Sequence, residues 1–181
     1  MKKVLIISTS LRNNSNSEIL ANQFYKGALT SNNEVEYLTL KDKKINYCLG
    51  CLACQKIHRC VINDDVSEII KKINESDVIV FASPIYFYEM AGQMKTLLDR
   101  TNPLYVSEDR KFKDIYFIAT CAEDDKNALT RAIQGLEGWI ECFDDVSLKG
   151  VIYGIGVNDP NEINSKASLL EQAFNMGKSI S

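Results

Sequence analysis

The 181-residue chain is 45% apolar and 25% charged, with 21 basic against 24 acidic residues and a net charge of −3. That balance excludes a disordered tail, a collagen-like repeat and a coiled coil, and without a basic stretch it argues against a nucleic-acid partner. The length suits one continuous domain over 1–181, since globular domains mostly run to ~100–200 residues. No stretch reaches the ~20 apolar residues of a spanning helix, and the apolar run that opens the chain is too short for a secretory signal. No membrane contact and a cytoplasmic location are therefore expected.

In chain order, Val4–Ile7 is a short, β-branched run of the kind that forms a strand buried on both faces. A polar stretch and a helical face (Ile19, Leu20, Phe24, Ala28) follow, and then Val35–Leu40, whose mixed pattern suits a sheet edge. A cysteine-rich segment at 46–63 precedes a second helical face (Val66, Ile69, Ile70, Ile73), which Asp65 and Glu68 open as a capping box. The strand Val78–Ala82 leads to a helix carrying Met90, Met94, Leu97 and Leu98. The strand Ile115–Ala119 leads to one carrying Leu129, Ile133, Leu136, Ile140 and Phe143. Gly150–Tyr153 is a weaker strand, and Ala167, Leu170 and Phe174 close the list of helical faces. This alternation predicts an α/β three-layer sandwich: a five-stranded parallel sheet, helices on both faces, in the flavodoxin-like order 2-1-3-4-5.

Three segments carry chemistry. After the first strand, eight of the ten residues Ser8–Ser17 are Ser, Thr or Asn. There is no G-x-G-x-x-G and no Walker sequence, which disfavours a dinucleotide site of the Rossmann type and a P-loop. Hydroxyls, amides and free N–H groups at a helix start can surround a phosphate monoester, with Arg12 offsetting its charge. The plainer alternative is a capping loop in which Ser15 and Glu18 close the helix end.

The third strand runs into Ser83-Pro84-Ile85-Tyr86-Phe87-Tyr88, three aromatics at the carboxyl end of a central strand. They suit a flat conjugated ring, or simply packing under loops. Next to a phosphate loop they suggest a phosphorylated planar cofactor.

The third segment is Cys48-x2-Cys51-x2-Cys54-x5-Cys60. In a reducing compartment, clustered cysteines bind metal or do redox chemistry rather than form disulfides. Compact spacing from one segment suits a 4Fe-4S cluster better than a zinc site built from two separated pairs. Zinc and unliganded thiols remain open. His58 reads as a solvated loop residue, Cys142 as a small apolar filler, and Cys121 as a residue facing the crevice.

Ser10-Leu11-Arg12-Asn13-Asn14-Ser15-Asn16-Ser17 resembles an S-P-R-x-N-G-N-T phosphate loop, with Leu11 and Ser15 in place of proline and glycine. Ser83-Pro84-Ile85-Tyr86-Phe87, followed by Lys95 and Asp99-Arg100, resembles an S-P-x-Y-F…K…D-R segment. With the cysteines before Asp64-Asp65, these motifs are similar to those of the NADPH-dependent FMN reductase superfamily, specifically its iron-sulfur flavoproteins. The resemblance implies that Ser10, Arg12, Asn16 and Ser17 hold the FMN phosphate. It implies that Ser83, Pro84, Ile85, Tyr86 and Phe87, with Thr120, lie by the isoalloxazine, and that Cys48, Cys51, Cys54 and Cys60 hold a 4Fe-4S cluster. It also implies a homodimer or homotetramer in which one subunit's cysteine segment approaches another's flavin.

Electron transfer between cluster and FMN, with NAD(P)H or a ferredoxin-type donor as partner, is then the leading expectation. It requires no acid–base side chain. An NAD(P)H-dependent reductase of flavin, quinone or nitro compounds with structural or empty cysteines comes second. A non-catalytic flavodoxin-like module with a zinc knuckle comes third.

Overall fold

A computed structural model describes residues 1–181. The strands β1 (Lys3–Ser8), β2 (Glu34–Thr39), β3 (Val78–Tyr86), β5 (Asp114–Thr120) and β6 (Ser147–Gly154) form one parallel sheet in the order β2-β1-β3-β5-β6. This is the expected 2-1-3-4-5 order, with the mixed-pattern strand at an edge. A sixth strand, β4 (Glu89–Met90), was not expected: it folds back antiparallel on the end of β3, pairing Ile85 with Met90 and Tyr86 with Glu89. Met90 is therefore a strand residue and not the start of a helical face.

Successive side chains of a strand point to opposite faces, and the core divides accordingly. Val4, Ile6, Val78, Val80 and Ala82 face α1 (Asn16–Leu29) and α7 (Ala167–Lys178). Leu5, Ile7, Ile79, Phe81, Ile115 and Phe117 face α3 (Val66–Glu75), α4 (Gly92–Arg100) and α6 (Thr130–Ile140). Two one-turn helices, α2 (Cys54–Ile57) and α5 (Asn102–Tyr105), lie between these.

On the first face α1 and α7 approach backbone to backbone. A Cβ on Gly27 would stand 1.9 Å from the Phe174 carbonyl oxygen, and one on Gly177 would stand 2.1 Å from that of Phe24. Glycine at both crossings is what lets α1 lie flat and aim its amino terminus at the carboxyl edge of the sheet.

Two local expectations are corrected. Asp65 does not cap α3 with its side chain; its carboxylate accepts the Lys44 N–H at 2.7 Å, and Asp64 takes the Val66 N–H at 3.2 Å. Cys142 is exposed just past α6 and is not a core filler.

Candidate functional site

At the carboxyl edge, the loop after β1, the end of β3 and the loop after β5 enclose a crevice of about 520 Å³. Its walls include Ser10, Arg12 and Asn16 on one side, Pro84, Ile85, Tyr86 and Phe87 on another, and Thr120 with Cys121 on a third. The crevice lies where a doubly wound sheet binds ligands, outside the carboxyl ends of strands flanking the switch point. It also takes in Ser15, Ala122, Val157 and Asn158, which sequence reasoning did not nominate. The last two follow β6, whose carboxyl end the same rule would have flagged.

The polar loop is folded inward: Ser10, Ser15, Asn16 and Ser17 are all buried. Ser15 caps α1, its hydroxyl accepting the Glu18 N–H at 3.2 Å. The capping reading of the loop therefore holds, and it coexists with a crevice. The N–H groups of Ser10 and Asn16, both in the crevice wall, have no acceptor within the chain, so they are free to meet an anion where the helix dipole favours one.

The side chain of Asn16 is already engaged. Its amide donates to the Asp159 carbonyl at 3.0 Å and accepts the Ile163 N–H at 3.0 Å. Arg12 donates to the Asn158 carbonyl at 2.7 Å, and the Asn161 N–H reaches the Asn14 carbonyl at 3.1 Å. Glu162 accepts the Asn158 and Asp159 N–H groups, which hold its carboxyl below the usual range. Asn16 thus braces the rim formed by residues 158–163, leaving its backbone N–H as its contribution to an anion.

Neither Ser83 nor Ser17 lines the crevice. The Ser83 hydroxyl accepts the Ala91 N–H at 3.0 Å and so closes the β3–β4 hairpin. Ser17 is completely buried, with its hydroxyl 3.5 Å from that of Ser15. Cys121 does face the crevice; burial pushes its thiol up, and its Sγ–H donates to the Glu123 carbonyl at 3.3 Å.

The turn of that hairpin is Phe87-Tyr88, and both residues have positive φ, 52° and 68°. A two-residue turn of this sort normally requires Asn-Gly or its like, and bulky side chains there are genuine outliers. Phe87 is 96% exposed, so burial within the chain returns nothing for the strain. Tyr88 is half exposed and lies under Arg131, but the strain at Phe87 has no internal return and points to a contact this residue makes with something else.

The four clustered cysteines share a second, much smaller cavity of about 20 Å³, walled also by Leu52, Val61, Ile62, Pro103 and Arg100. All four are free thiols, with Cys48 and Cys51 exposed and Cys54 and Cys60 half-buried. Burial, then the neighbouring Cys60 and Cys51 sulfurs, push the Cys54 thiol up. The cavity holds about one water, and no three metal-ligating side chains converge on one point. His58, in the left-handed turn that ends α2, is exposed and lines a separate cleft of about 630 Å³.

The sequence description of the NADPH-dependent FMN reductase family matches residues 2–142. An iron-sulfur flavoprotein of Methanocaldococcus jannaschii is 39% identical over 104 residues, which are 58% of this chain and 54% of that protein. The chain thus spans about half the length of that relative. A Bacillus subtilis protein named as an NAD(P)H-dependent FMN-containing oxidoreductase is 28% identical over 168 residues, 89% of this chain and 88% of its own. Among solved structures, the NAD(P)H:quinone oxidoreductase of Methanothermobacter marburgensis superposes with a TM-score of 0.76 at 15% identity, covering 98% of this chain and 94% of that one. The last likeness is one of fold.

Proposed function

The chain belongs to the NADPH-dependent FMN reductase family, and from that premise we propose that it is an FMN-dependent oxidoreductase whose Cys48, Cys51, Cys54 and Cys60 hold a 4Fe-4S cluster that exchanges electrons with the flavin. The observation that carries the flavin part is the crevice itself, which unites a buried loop of open N–H donors with an aromatic wall at the switch point.

The N–H groups of Ser10 and Asn16 would hold the phosphate, and Pro84, Ile85, Tyr86, Phe87 and Thr120 would border the ring. When bound, FMN supplies two-electron chemistry and a 4Fe-4S cluster supplies one-electron chemistry; the chain sets access, orientation and potential.

For the cluster, the donor set fits: four free thiols from one segment, two of them exposed, with Cys54 opening α2 and the other three outside helix and strand. The segment's exposed Tyr47, Leu49, Leu52 and Val61, with the exposed Leu11 of the polar loop and Phe87 of the crevice wall, support a homo-oligomer in which these apolar surfaces meet.

One observation favours a second reading. A cysteine cavity the size of a single water suits thiols that carry no cluster, which leaves a reductase taking hydride from NAD(P)H at the flavin. Anaerobic purification, chromatography of acid-released flavin, and iron, sulfide and zinc analysis separate the two. FMN with iron and sulfide supports the electron-relay reading, FMN without them the reductase, and recovery of FAD or no flavin overturns both.

A further inference from the structure

The largest fully buried side chain in the protein is a charged one, Arg100, the last residue of α4. Its guanidinium makes a bidentate pair with Asp64 at 2.8 and 3.0 Å, both side chains being completely inaccessible. Nη1 also donates to the Asn46 carbonyl at 2.6 Å, and Nη2 donates to the Cys60 sulfur at 3.3 Å. Asp64 in turn accepts the Asn46 N–H and side-chain amide at 2.9 and 3.0 Å. One side chain thus ties the first residue of the cysteine segment, its last cysteine and the carboxylate that follows it to a core helix. Arg100 also lines the cysteine cavity, and its buried Nε–H has no acceptor in the chain.

A buried guanidinium persists only where its charge is met, and its planar fork fixes geometry as lysine cannot. Here the carboxylate stands behind the fork while a guanidinium edge is presented to a thiol sulfur. We propose that Arg100 is the positioning residue of the cysteine site, holding residues 46–64 in place through Asp64 and Asn46 and presenting its charge to Cys60. It therefore sets the reduction potential of an anionic metal–thiolate centre there. The first half stands on geometry alone; the potential rests on the cluster reading above. Hydrogen bonds to a cluster sulfur favour its more negative, reduced form, so Arg100 raises the potential.

The test uses the FMN-bound protein, anaerobically reconstituted with iron and sulfide, as wild type, Arg100→Gln, Arg100→Lys and the double variant Arg100→Gln/Asp64→Asn. The double variant replaces the ion pair by an amide pair and leaves no unpaired buried charge if the single change fails to fold. Hydrogen exchange read by mass spectrometry should be at least tenfold faster over 44–64 in the double variant, with α1 and the sheet unchanged. Arg100→Lys should fall between it and wild type. In EPR-monitored titrations the reduced-to-oxidised cluster ratio at a fixed poise should fall about tenfold, equivalent to about 59 mV for one electron. Unaccelerated exchange over 44–64, or an unchanged potential, overturns the proposal. If the wild type takes up no iron, it is the cluster reading that has failed, and the exchange comparison alone decides whether Arg100 positions the segment.

Discussion

Replacing Phe87 by asparagine, a residue that visits the left-handed region readily, should make the apoprotein more stable and the flavin site worse. A bulky residue held at positive φ costs roughly 1–2 kcal/mol, most of which asparagine avoids. Phe87, at φ 52°, is almost fully exposed and forfeits no burial. The net gain is about 1 kcal/mol, and for a chain of this size the melting temperature should rise by about 2–4 °C. Calorimetry on apoprotein avoids the stabilisation that bound flavin itself provides. Flavin affinity, measured by fluorescence quenching, should fall, because Phe87 lines the crevice. A Phe87→Asn variant less stable than wild type would refute the strain argument; undiminished FMN affinity would refute the assignment of the turn to the flavin.

Asn16→Ala should lower both stability and FMN affinity, by about 1–3 kcal/mol for the first, because it strands the buried Ile163 N–H and frees the rim at 158–163; urea titration and flavin binding report the two. Gly177→Ala places a Cβ 2.1 Å from the Phe24 carbonyl oxygen, so α1 and α7 must part, at a cost of about 1–3 kcal/mol or more in a denaturant midpoint measurement. Burial alone would raise the Asp64 carboxyl, but the Arg100 fork and the Asn46 and Val66 N–H groups outweigh it and hold it at about 2. A carboxylate depressed below its unfolded value of ~3.9 stabilises the fold above that pH, and its contribution disappears as pH falls from about 4 toward 2. Arg100→Gln/Asp64→Asn should therefore show a shallower acid limb in stability against pH over that window, and an unchanged limb would contradict the assignment.

The sheet was legible because its strands are short, apolar runs separated by clear helical periodicity, and the mixed pattern of the second strand placed it at the edge. The hairpin was not. Phe87-Tyr88 carries none of the Asn-Gly chemistry that announces a two-residue turn, so β4 was hidden and Met90 joined a helical face by spacing alone. The crevice walls could be read from the Ser/Asn-rich loop and the aromatic run, since both follow strands directly. What each polar side chain does there depends on partners about 140 residues away. Asn16 is tied to Asp159 and Ile163, and Arg12 to Asn158, contacts that no local pattern encodes. Ser83 reads as a ligand residue from its motif, and that its hydroxyl also closes the turn follows from β4, which no local pattern announces. Asp64 and Arg100 were visible only as motif letters; that they form a buried pair touching Cys60 follows from the packing of α4 against the cysteine segment.

The central claim, that a cluster and a flavin share electrons in this chain, is tested most directly by reductive titration of anaerobically reconstituted protein with dithionite, followed in the visible spectrum. With both centres present, the protein should take up one more electron equivalent per FMN than free FMN does. The excess should vanish when Cys60 is replaced by serine while FMN stays bound. Uptake equal to that of free FMN in the iron- and sulfide-reconstituted wild type would contradict the account and leave the reductase reading in its place.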